Sequence, residues 1–374
     1  MLDITLILLA AGSSSRFGLP IKKQWLYQGN KPLWLAVADN FQNSFNFAKI
    51  IIVSSPDEIA YMKQFSNYLC VTGGNSRSAS LQNALAQVET PFVLVNDIAR
   101  CCMDTEMVKR VIIRKEEAAC IVPVLKAVDT LYLDQEPIDR EKVRIIQTPQ
   151  LSHTNILKKA LESTGEFTDE SSAIRALGAS VLFVEGSIKA HKLTTQSDLR
   201  KLPCLLPPAS DTFIGFGIDI HPFQEGKEMK LCGITIDSPF GFKAHSDGDV
   251  AIHALIDALM GASGMGDIGE LFPDTDAVYA GADSSVLLQE VVKRIRAFGF
   301  EISNVDMTIL AQTPKLLPYK QAMREQISTL LRIAPIRTNI KATTAEKMGF
   351  VGREEGVTVQ AVASLKYFNW KEVL

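Results

Sequence analysis

The strongest constraint on the fold is an alternation in the first half of the chain. Short, nearly unbroken aliphatic runs take turns there with stretches of helical periodicity. Ile4–Leu9, Lys49–Ser54, Phe92–Val95, Ala119–Leu125 and Val181–Val184 are rich in Val, Ile and Leu. Between them, Pro32–Phe41, Asp57–Phe65, Ser76–Val88, Asp104–Arg114, Asn155–Ser163 and Asp169–Leu177 place apolar residues at helical spacing. A strand that is apolar on both sides must be covered on both sides, and the intervening helices supply that cover. The pattern predicts an α/β domain with a mostly parallel sheet. In such sheets ligands bind at the carboxyl ends of the strands, which directs attention to the residues after Leu9, Val71 and Val95.

The texture changes at Leu202–Ser210, where three prolines fall within seven residues. Proline lacks the N–H that a helix interior or a central strand needs, so the segment reads as a connection between domains. The expected division is 1–205, a linker at 206–212, and a second domain at 213–374. The second domain reads as α+β. Its strands are expected at Thr212–Ile220, Met229–Ile236, Glu301–Ala311, Thr338–Thr343 and Gly356–Tyr367, and its helices at Asp247–Ser263, Ser284–Phe298 and Pro318–Ile333.

Charge and composition exclude several classes of function. With 39 Lys and Arg against 42 Asp and Glu, the net charge of −3 offers no basic field for nucleic acid or anionic lipid. The longest apolar stretch, Ile4 to Ala11, falls far short of the roughly 20 residues a membrane helix needs and lacks a signal peptide's basic flank. The six Cys (70, 101, 102, 120, 204 and 232) form no CxxC pair, and we expect reduced thiols in a cytoplasmic protein.

After the first strand comes Leu9-Ala-Ala-Gly-Ser-Ser-Ser-Arg-Phe-Gly18. Small residues let backbone N–H groups approach a polyphosphate, and Arg16 and Lys23 place cations beside it. The loop is neither GxxxxGK[ST] nor GxGxxG. Gly12 alone reads as an ordinary turn. Its place at a strand end, beside two cations and near Val71-Thr-Gly-Gly-Asn-Ser-Arg-Ser-Ala-Ser80 and Val93-Leu-Val-Asn-Asp97, points instead to a nucleotide site.

Leu9-Ala-Ala-Gly-x3-Arg with Lys23-Gln24, Gly73-Gly-x2-Arg77-x2-Ser80, and Asp97-x-Ala-Arg100 resemble the 2-C-methyl-D-erythritol 4-phosphate cytidylyltransferases. So do Asp129-Thr130, Thr148-Pro-Gln150, Thr168-Asp-Glu170 and Val184-Glu-Gly186 followed by Lys192. The resemblance spans about residues 1–205. It implies a Rossmann-like nucleotidyltransferase in which CTP, carried with Mg²⁺, reacts with methylerythritol phosphate to release pyrophosphate. It also implies roles. Arg16 and Lys23 would stabilise charge on the α-phosphate and the departing pyrophosphate. Ala10, Ala11, Gly12, Gly74, Ser80 and Asp97 would bind CTP, and Arg140, Thr148 and Lys192 would hold the substrate phosphate. Asn96 replaces a usual His, Ile98 a usual Ala, and Lys22 a usual Pro.

The second half holds three of the chain's five His between positions 221 and 253. Asp219 and His221 stand at i, i+2 and so share one face of a strand, while His253 lies on the next predicted helix. Two imidazoles and a carboxylate suit Zn²⁺ with one position left open. Any one of these residues alone would read as a core histidine or a solvated acid. Ala244-His-Ser-Asp-Gly-Asp249 adds polar groups just before an apolar helix, and Asp257, one turn beyond His253, is a candidate to orient it.

Asp219-x-His221, Ala244-His-Ser-Asp-Gly-Asp249, Gly266-Asp-Ile-Gly269, Phe272-Pro-Asp-Thr-Asp276 and Lys341-Ala-Thr-Thr344 closely resemble the 2-C-methyl-D-erythritol 2,4-cyclodiphosphate synthases from about Phe213 to Lys366. The resemblance implies a homotrimer with sites shared between subunits, in which the substrate's 2-phosphate attacks its own β-phosphate and expels CMP. Asp219, His221 and His253 would hold Zn²⁺ or another divalent metal, and Mg²⁺ would bridge phosphates. His245 and Thr344 would stabilise the transition state. Ser246, Asp267, Ile268 and Gly269, with Phe272, Pro273, Asp274, Thr275 and Asp276, would contact the substrate. Ala311 and Lys315 lie in the segment that would read cytosine. Thr343 and Glu346 would sit by the CMP phosphates, and Phe350 and Arg353 near the substrate or the trimer axis. Ala345 replaces a usual third Thr.

Together these readings predict two non-consecutive steps of the methylerythritol phosphate route, separated by an ATP-dependent kinase with which the chain could associate. Expected partners are the small-molecule substrates and further copies of the chain, dimeric through the first domain and trimeric through the second. Two rival readings compete with these: a sugar-phosphate nucleotidyltransferase joined to a zinc phosphohydrolase, and a non-catalytic nucleotide-binding scaffold.

Overall fold

The computed structural model describes residues 3–162, 167–244, 246–273, 275 and 281–373. The chain divides into two compact units, one running to Pro208 and including the terminal Trp370–Val373 turn, the other spanning Ala209–Asn369.

The aliphatic runs of the first unit become the strands β1 (Ile4–Leu9), β2 (Lys49–Ser54), β3 (Leu69–Thr72), β4 (Phe92–Asp97), β5 (Cys120–Lys126), β6 (Arg144–Ile146), β7 (Gln150–His153) and β8 (Val181–Glu185), in one sheet of order β6-β5-β7-β4-β1-β2-β3 with β8 on β5. Around β1 the strands are parallel and in step: Leu9 lies opposite both Val53 and Asp97, so three strand ends meet at one edge. The helices α1 (Leu33–Ser44), α2 (Pro56–Met62), α3 (Arg77–Leu85), α4 (Thr105–Ile113), α5 (Thr154–Leu161) and α6 (Glu170–Ala176) end within a few residues of the periodic stretches. Side-chain caps set several starts: Ser76 accepts from Ala79 N, and Asp104 from Glu106 N and Met107 N.

β6 and β7 run antiparallel to their neighbours. β7 had no aliphatic signature because it carries polar residues into the interior, where Ser152 Oγ reaches Cys120 Sγ and Gln150 accepts from Ser171 N. A hairpin arm, Leu131–Leu133 paired with Glu136–Ile138, leaves Tyr132, Leu133 and Ile138 exposed.

Two expectations need correction here. Cys102 and Cys204 are not reduced thiols but a disulfide, with Cα atoms 5.5 Å apart. The proline-rich segment folds back over the loop after β4, which the Leu193 N to Ala99 O hydrogen bond also holds. Residues 370–373 were expected in the second domain but pack with the first unit, because the buried Trp370 indole donates to Tyr27 O at 3.0 Å.

The second unit is a sheet of order β10-β9-β13-β11-β12, formed by β9 (Thr212–Glu225), β10 (Phe240–Phe242), β11 (Phe300–Leu310), β12 (Thr338–Thr343) and β13 (Gly356–Tyr367). It is packed by α7 (Val250–Ser263), α8 (Ser284–Ala297) and α9 (Lys320–Leu331). β9 runs past the expected Ile220 because Phe223–Glu225 leave β13 and pair with β10. The expected strand Met229–Ile236 is instead a hairpin, turned by positive φ at Cys232 and Gly233.

A glycine pair sets how close α7 lies to β9. A Cβ on Gly215 would stand 2.0 Å from Ala258 O, and one on Gly217 2.0 Å from Ala254 O. Only glycine allows that approach, and it brings the first turn of α7 beside Asp219 and His221. On the opposite face of β9, Ile214, Phe216, Ile218 and Ile220 are exposed, Ile214 by 71%.

Two candidate active sites

The strand ends of the first unit surround a cavity of about 440 Å³. Ala10, Ala11, Gly12, Arg16 and Lys23 line it after β1, Gly74 and Ser80 after β3, and Asp97 at the end of β4, with Lys192 closing one side. The structure thus brings together the predicted CTP and charge-stabilising residues. A Cβ on Gly12 would meet nothing within 4 Å, so this glycine leaves room for a ligand and does no packing. Gly73 and Gly74 do the reverse, because added Cβ atoms would strike Ala11 Cβ and Ala79 Cβ at 2.7 and 2.5 Å.

The cations of this cavity are set in a framework. Asp97 receives Lys192 Nζ at 2.6 Å and Arg77 at 3.2 Å, and Arg77 also reaches the fully buried Glu170 at 2.8 Å. Burial works against the Asp97 charge, but Arg77 and Lys192 outweigh it and hold the carboxyl down at about 2. Lys23 Nζ donates to Leu193 O at 3.2 Å. Burial first, and then the neighbouring Lys192 and Arg16 charges, lower the Lys23 ammonium from its ordinary 10.5.

Arg77 and Glu170 stand in the sequence motifs, but the buried ion pair that joins these two distant motifs has no sequence signal. The departures are accommodated. Lys22 pairs at 2.5 Å with Glu58, a buried carboxylate that also takes the Gln24 amide and the Trp25 indole, which anchors the turn bearing Lys23. Asn96 Oδ1 accepts from Thr148 Oγ1 at 3.0 Å, and Ile98 is buried at the cavity wall. Thr148 lies one layer down, accepting from Asp97 N at 3.2 Å, and faces an adjoining cavity of about 200 Å³ that also reaches Lys192. Arg140 is not brought to either cavity of its own chain. It follows the arm, exposed, and donates to Val128 O.

In the second unit Asp219, His221 and His253 converge. Asp219 Oδ2 stands 3.0 Å from His221 Nε2 and 3.3 Å from His253 Nδ1, and the three ligand atoms lie within 4.8 Å of one another. Asp219 Oδ2 is buried yet has no hydrogen-bond donor. His221 Nδ1 lies 2.9 Å from Gly248 O. A carbonyl can only accept, so that nitrogen carries a proton, and in the neutral ring Nε2 turns its lone pair toward the carboxylate. A buried carboxylate oxygen facing two imidazole nitrogens is a cage that could hold a cation, and its one-oxygen, two-nitrogen donor set fits a divalent transition metal.

Ser246 Oγ approaches His253 Nε2 at 3.3 Å, placing it behind the cage. Asp257 does not orient His253 as expected; its Oδ1 accepts from Ile268 N at 2.9 Å and ties the Asp267–Gly269 turn to α7. Asp267 caps that turn through Glu270 N, Phe272 is buried after it, and Pro273 and Thr275 follow on the exposed side. His245, Asp274 and Asp276 lie outside the described residues.

A separate corner forms where the parallel β11 and β12 end. Ala311 N donates to Thr343 O, Thr344 Oγ1 donates to Glu346 at 2.8 Å, and Gln312 accepts from Lys347 N, with Lys315 in the following turn. Ala345 lies in the same loop. Phe350 is partly exposed, and Arg353 is exposed and paired with Glu355 at 2.8 Å. Among the described residues no hydrogen bond links this corner to the cage.

Comparison with known proteins adds independent findings. Residues 4–206 match the family described as 2-C-methyl-D-erythritol 4-phosphate cytidylyltransferase, and residues 212–366 match the YgbB family. The chain is 63% identical over 372 residues to the "bifunctional enzyme IspD/IspF" of Sulfurovum sp. (strain NBC37-1), covering 100% of both chains. It is 54% identical to the protein of that description from Campylobacter curvus (strain 525.92), covering 99% of this chain and 100% of that one. The solved structure of the bifunctional IspDF from Campylobacter jejuni matches with a TM-score of 0.93 at 46% identity, over 99% of this chain and 100% of that one.

Proposed function

We infer the division of chemistry from one premise: the chain belongs to the bifunctional IspD/IspF enzymes of isoprenoid biosynthesis, which join a cytidylyltransferase to a cyclodiphosphate synthase. It transfers CMP from CTP to 2-C-methyl-D-erythritol 4-phosphate with release of pyrophosphate. It also cyclises 4-CDP-2-C-methyl-D-erythritol 2-phosphate, releasing CMP. The assignment of residues to these reactions is our proposal.

In the first unit the Ala10–Gly12 backbone and Gly74 cradle the triphosphate. Arg16 and Lys23 stabilise the charge that grows on the α-phosphate and on pyrophosphate. The attacking phosphate is already an anion, so no general base is needed and positioning dominates. Asp97 aims Lys192 at the methylerythritol phosphate, with Thr148 buttressing Asp97 from beneath. Mg²⁺ carried with CTP would offset phosphate charge.

Arg140 belongs to an arm whose apolar residues face outward. For Arg140 to meet a substrate phosphate, the arm must cross to a second copy, which supports a dimer of first units.

In the second unit Asp219, His221 and His253 would hold Zn²⁺, which when bound polarises the diphosphate as a Lewis acid. The Asp267–Gly269 turn and the Phe272–Thr275 segment border the methylerythritol portion. The Ala311–Lys315 segment, Thr343, Thr344 and Glu346 take the CMP portion, with Mg²⁺ among the phosphates. The exposed apolar face of β9, on the far side from α7, supports a trimer, which would bring one subunit's corner to a neighbour's cage.

The observation that carries this reading is the buried, undonated Asp219 Oδ2 facing two imidazoles. The test strips zinc from the full chain and returns it with Mg²⁺ present throughout. CMP release should follow the zinc while pyrophosphate release from CTP does not. Equal loss of both activities would overturn the division. Because a kinase step lies between the two reactions, the first product must leave the chain and return phosphorylated.

A further inference from the structure

We propose that Ser284 and Asp247 form a positioning relay that fixes His253 in the one tautomer able to bind a metal within the cage. The proposal rests on the reading of Asp219, His221 and His253 as a metal site, and goes beyond it to residues outside the ligand set.

Followed from Asp247, the hydrogen-bond chain runs in one direction. Asp247 Oδ1 lies 2.5 Å from Ser284 Oγ. An ionised carboxylate only accepts, so the single hydroxyl proton of Ser284 is committed to Asp247. Ser284 Oγ lies 3.0 Å from His253 Nε2, and with its proton committed it can only accept there. His253 Nε2 therefore carries the imidazole proton, and Nδ1 presents its lone pair toward Asp219 Oδ2 at 3.3 Å. In a neutral imidazole the partner of one nitrogen decides the protonation of the other.

The relay is built into the interior. Ser284 is fully buried as the first residue of α8, and Lys230 Nζ stands 3.7 Å from Asp247 Oδ2. Asp249 N also donates to Asp247 Oδ1, at 3.3 Å. The adjacent Gly248 O performs the same service for His221 by taking its Nδ1 proton. One short loop thus sets both tautomers: His221 directly through a carbonyl, and His253 through a serine 31 residues distant in sequence. Ser246 Oγ, 3.3 Å from His253 Nε2 and accepting from Gly248 N, is the competing partner: its hydroxyl proton aimed at Nε2 would select the other tautomer, and the shorter 3.0 Å contact with Ser284 opposes that.

Two measurements on the full chain test the relay. The first is a long-range ¹H–¹⁵N correlation of the histidine-labelled, metal-free parent at a pH where the rings are neutral; it should show His253 protonated at Nε2. The second is zinc affinity by chelator competition. Ser284→Ala and Asp247→Ala should each weaken zinc binding by about 10- to 100-fold, with the thermal midpoints of the metal-free proteins near the parent's and Ser284→Thr restoring affinity. A parent that binds zinc while His253 carries its proton on Nδ1 overturns the relay alone. So do well-folded variants whose affinity stays within about twofold of the parent, far from the expected loss. A parent that binds no zinc overturns the cage and the relay together. If a variant fails to fold, the spectrum of the parent decides.

Discussion

The two units face the same problem, a polyphosphate whose charge must be tamed, and solve it in opposite ways. The first carries its positive charge on side chains locked into a network, Lys192 to Asp97 to Arg77 to Glu170, beside Arg16 and Lys23. The second, among its described residues, gathers an anionic oxygen and two ring nitrogens instead, which on our reading borrow a metal cation. Their glycines mirror the contrast. Gly12 opens space for a ligand, whereas Gly215 and Gly217 close space so that a helix can carry His253 to its partners. A site made of fixed charges needs clearance, and a site made of converging ligands needs close packing.

The sharpest way to break the comparison is His253→Ala. It should remove the cage and lower CMP release by about 10³-fold or more, given the several kcal/mol a Lewis-acid metal supplies. Cytidylyl transfer, followed by pyrophosphate release, should stay near the parent rate. Lys23→Ala is the converse: the first reaction should lose about 3 kcal/mol of transition-state stabilisation, roughly 10²-fold in rate, and the second nothing. An unchanged first rate would remove Lys23 from the chemistry.

The glycine contrast gives a smaller pair of effects. Gly217→Ala forces a methyl group against the α7 backbone and should cost about 1–3 kcal/mol of stability, with weaker zinc binding. Gly12→Ala meets no atom, so calorimetry should place its stability within about 0.5 kcal/mol of the parent while KM for CTP rises. Loss of stability at Gly12 with none at Gly217 would invert our account.

The smallest effect concerns pH. Lys23 acts as a cation, and its burial beside Lys192 and Arg16 lowers the pH at which it becomes neutral. As pH rises, kcat/KM for the first reaction should therefore begin to fall below the ordinary lysine value of 10.5, and Lys23→Arg should move that limb upward. A limb in the same place in both proteins would assign it to another group.

Much of this was legible in residue order because it depends on short-range pattern. The strands Lys49–Ser54, Thr338–Thr343 and Gly356–Tyr367 occupy the expected residues, and the Asp219-x-His221 spacing places two ligands on one face wherever that strand lies. β7 escaped notice because its interior residues are polar and satisfied only by distant partners. The disulfide and the return of Trp370 to the first unit likewise depend on which segments meet in space.

Sequence alone determined the two-unit layout, the glycine loop at the end of β1 and the choice of Asp219, His221 and His253, which the fold then brings together, since each follows from local periodicity or spacing. Tertiary structure alone decided which groups set the protons and charges of those ligands. Ser284 behind His253, Glu58 beneath Lys22 and Glu170 behind Arg77 act across long stretches of chain, where hydrogen-bond direction and burial depend on folding that no local pattern encodes.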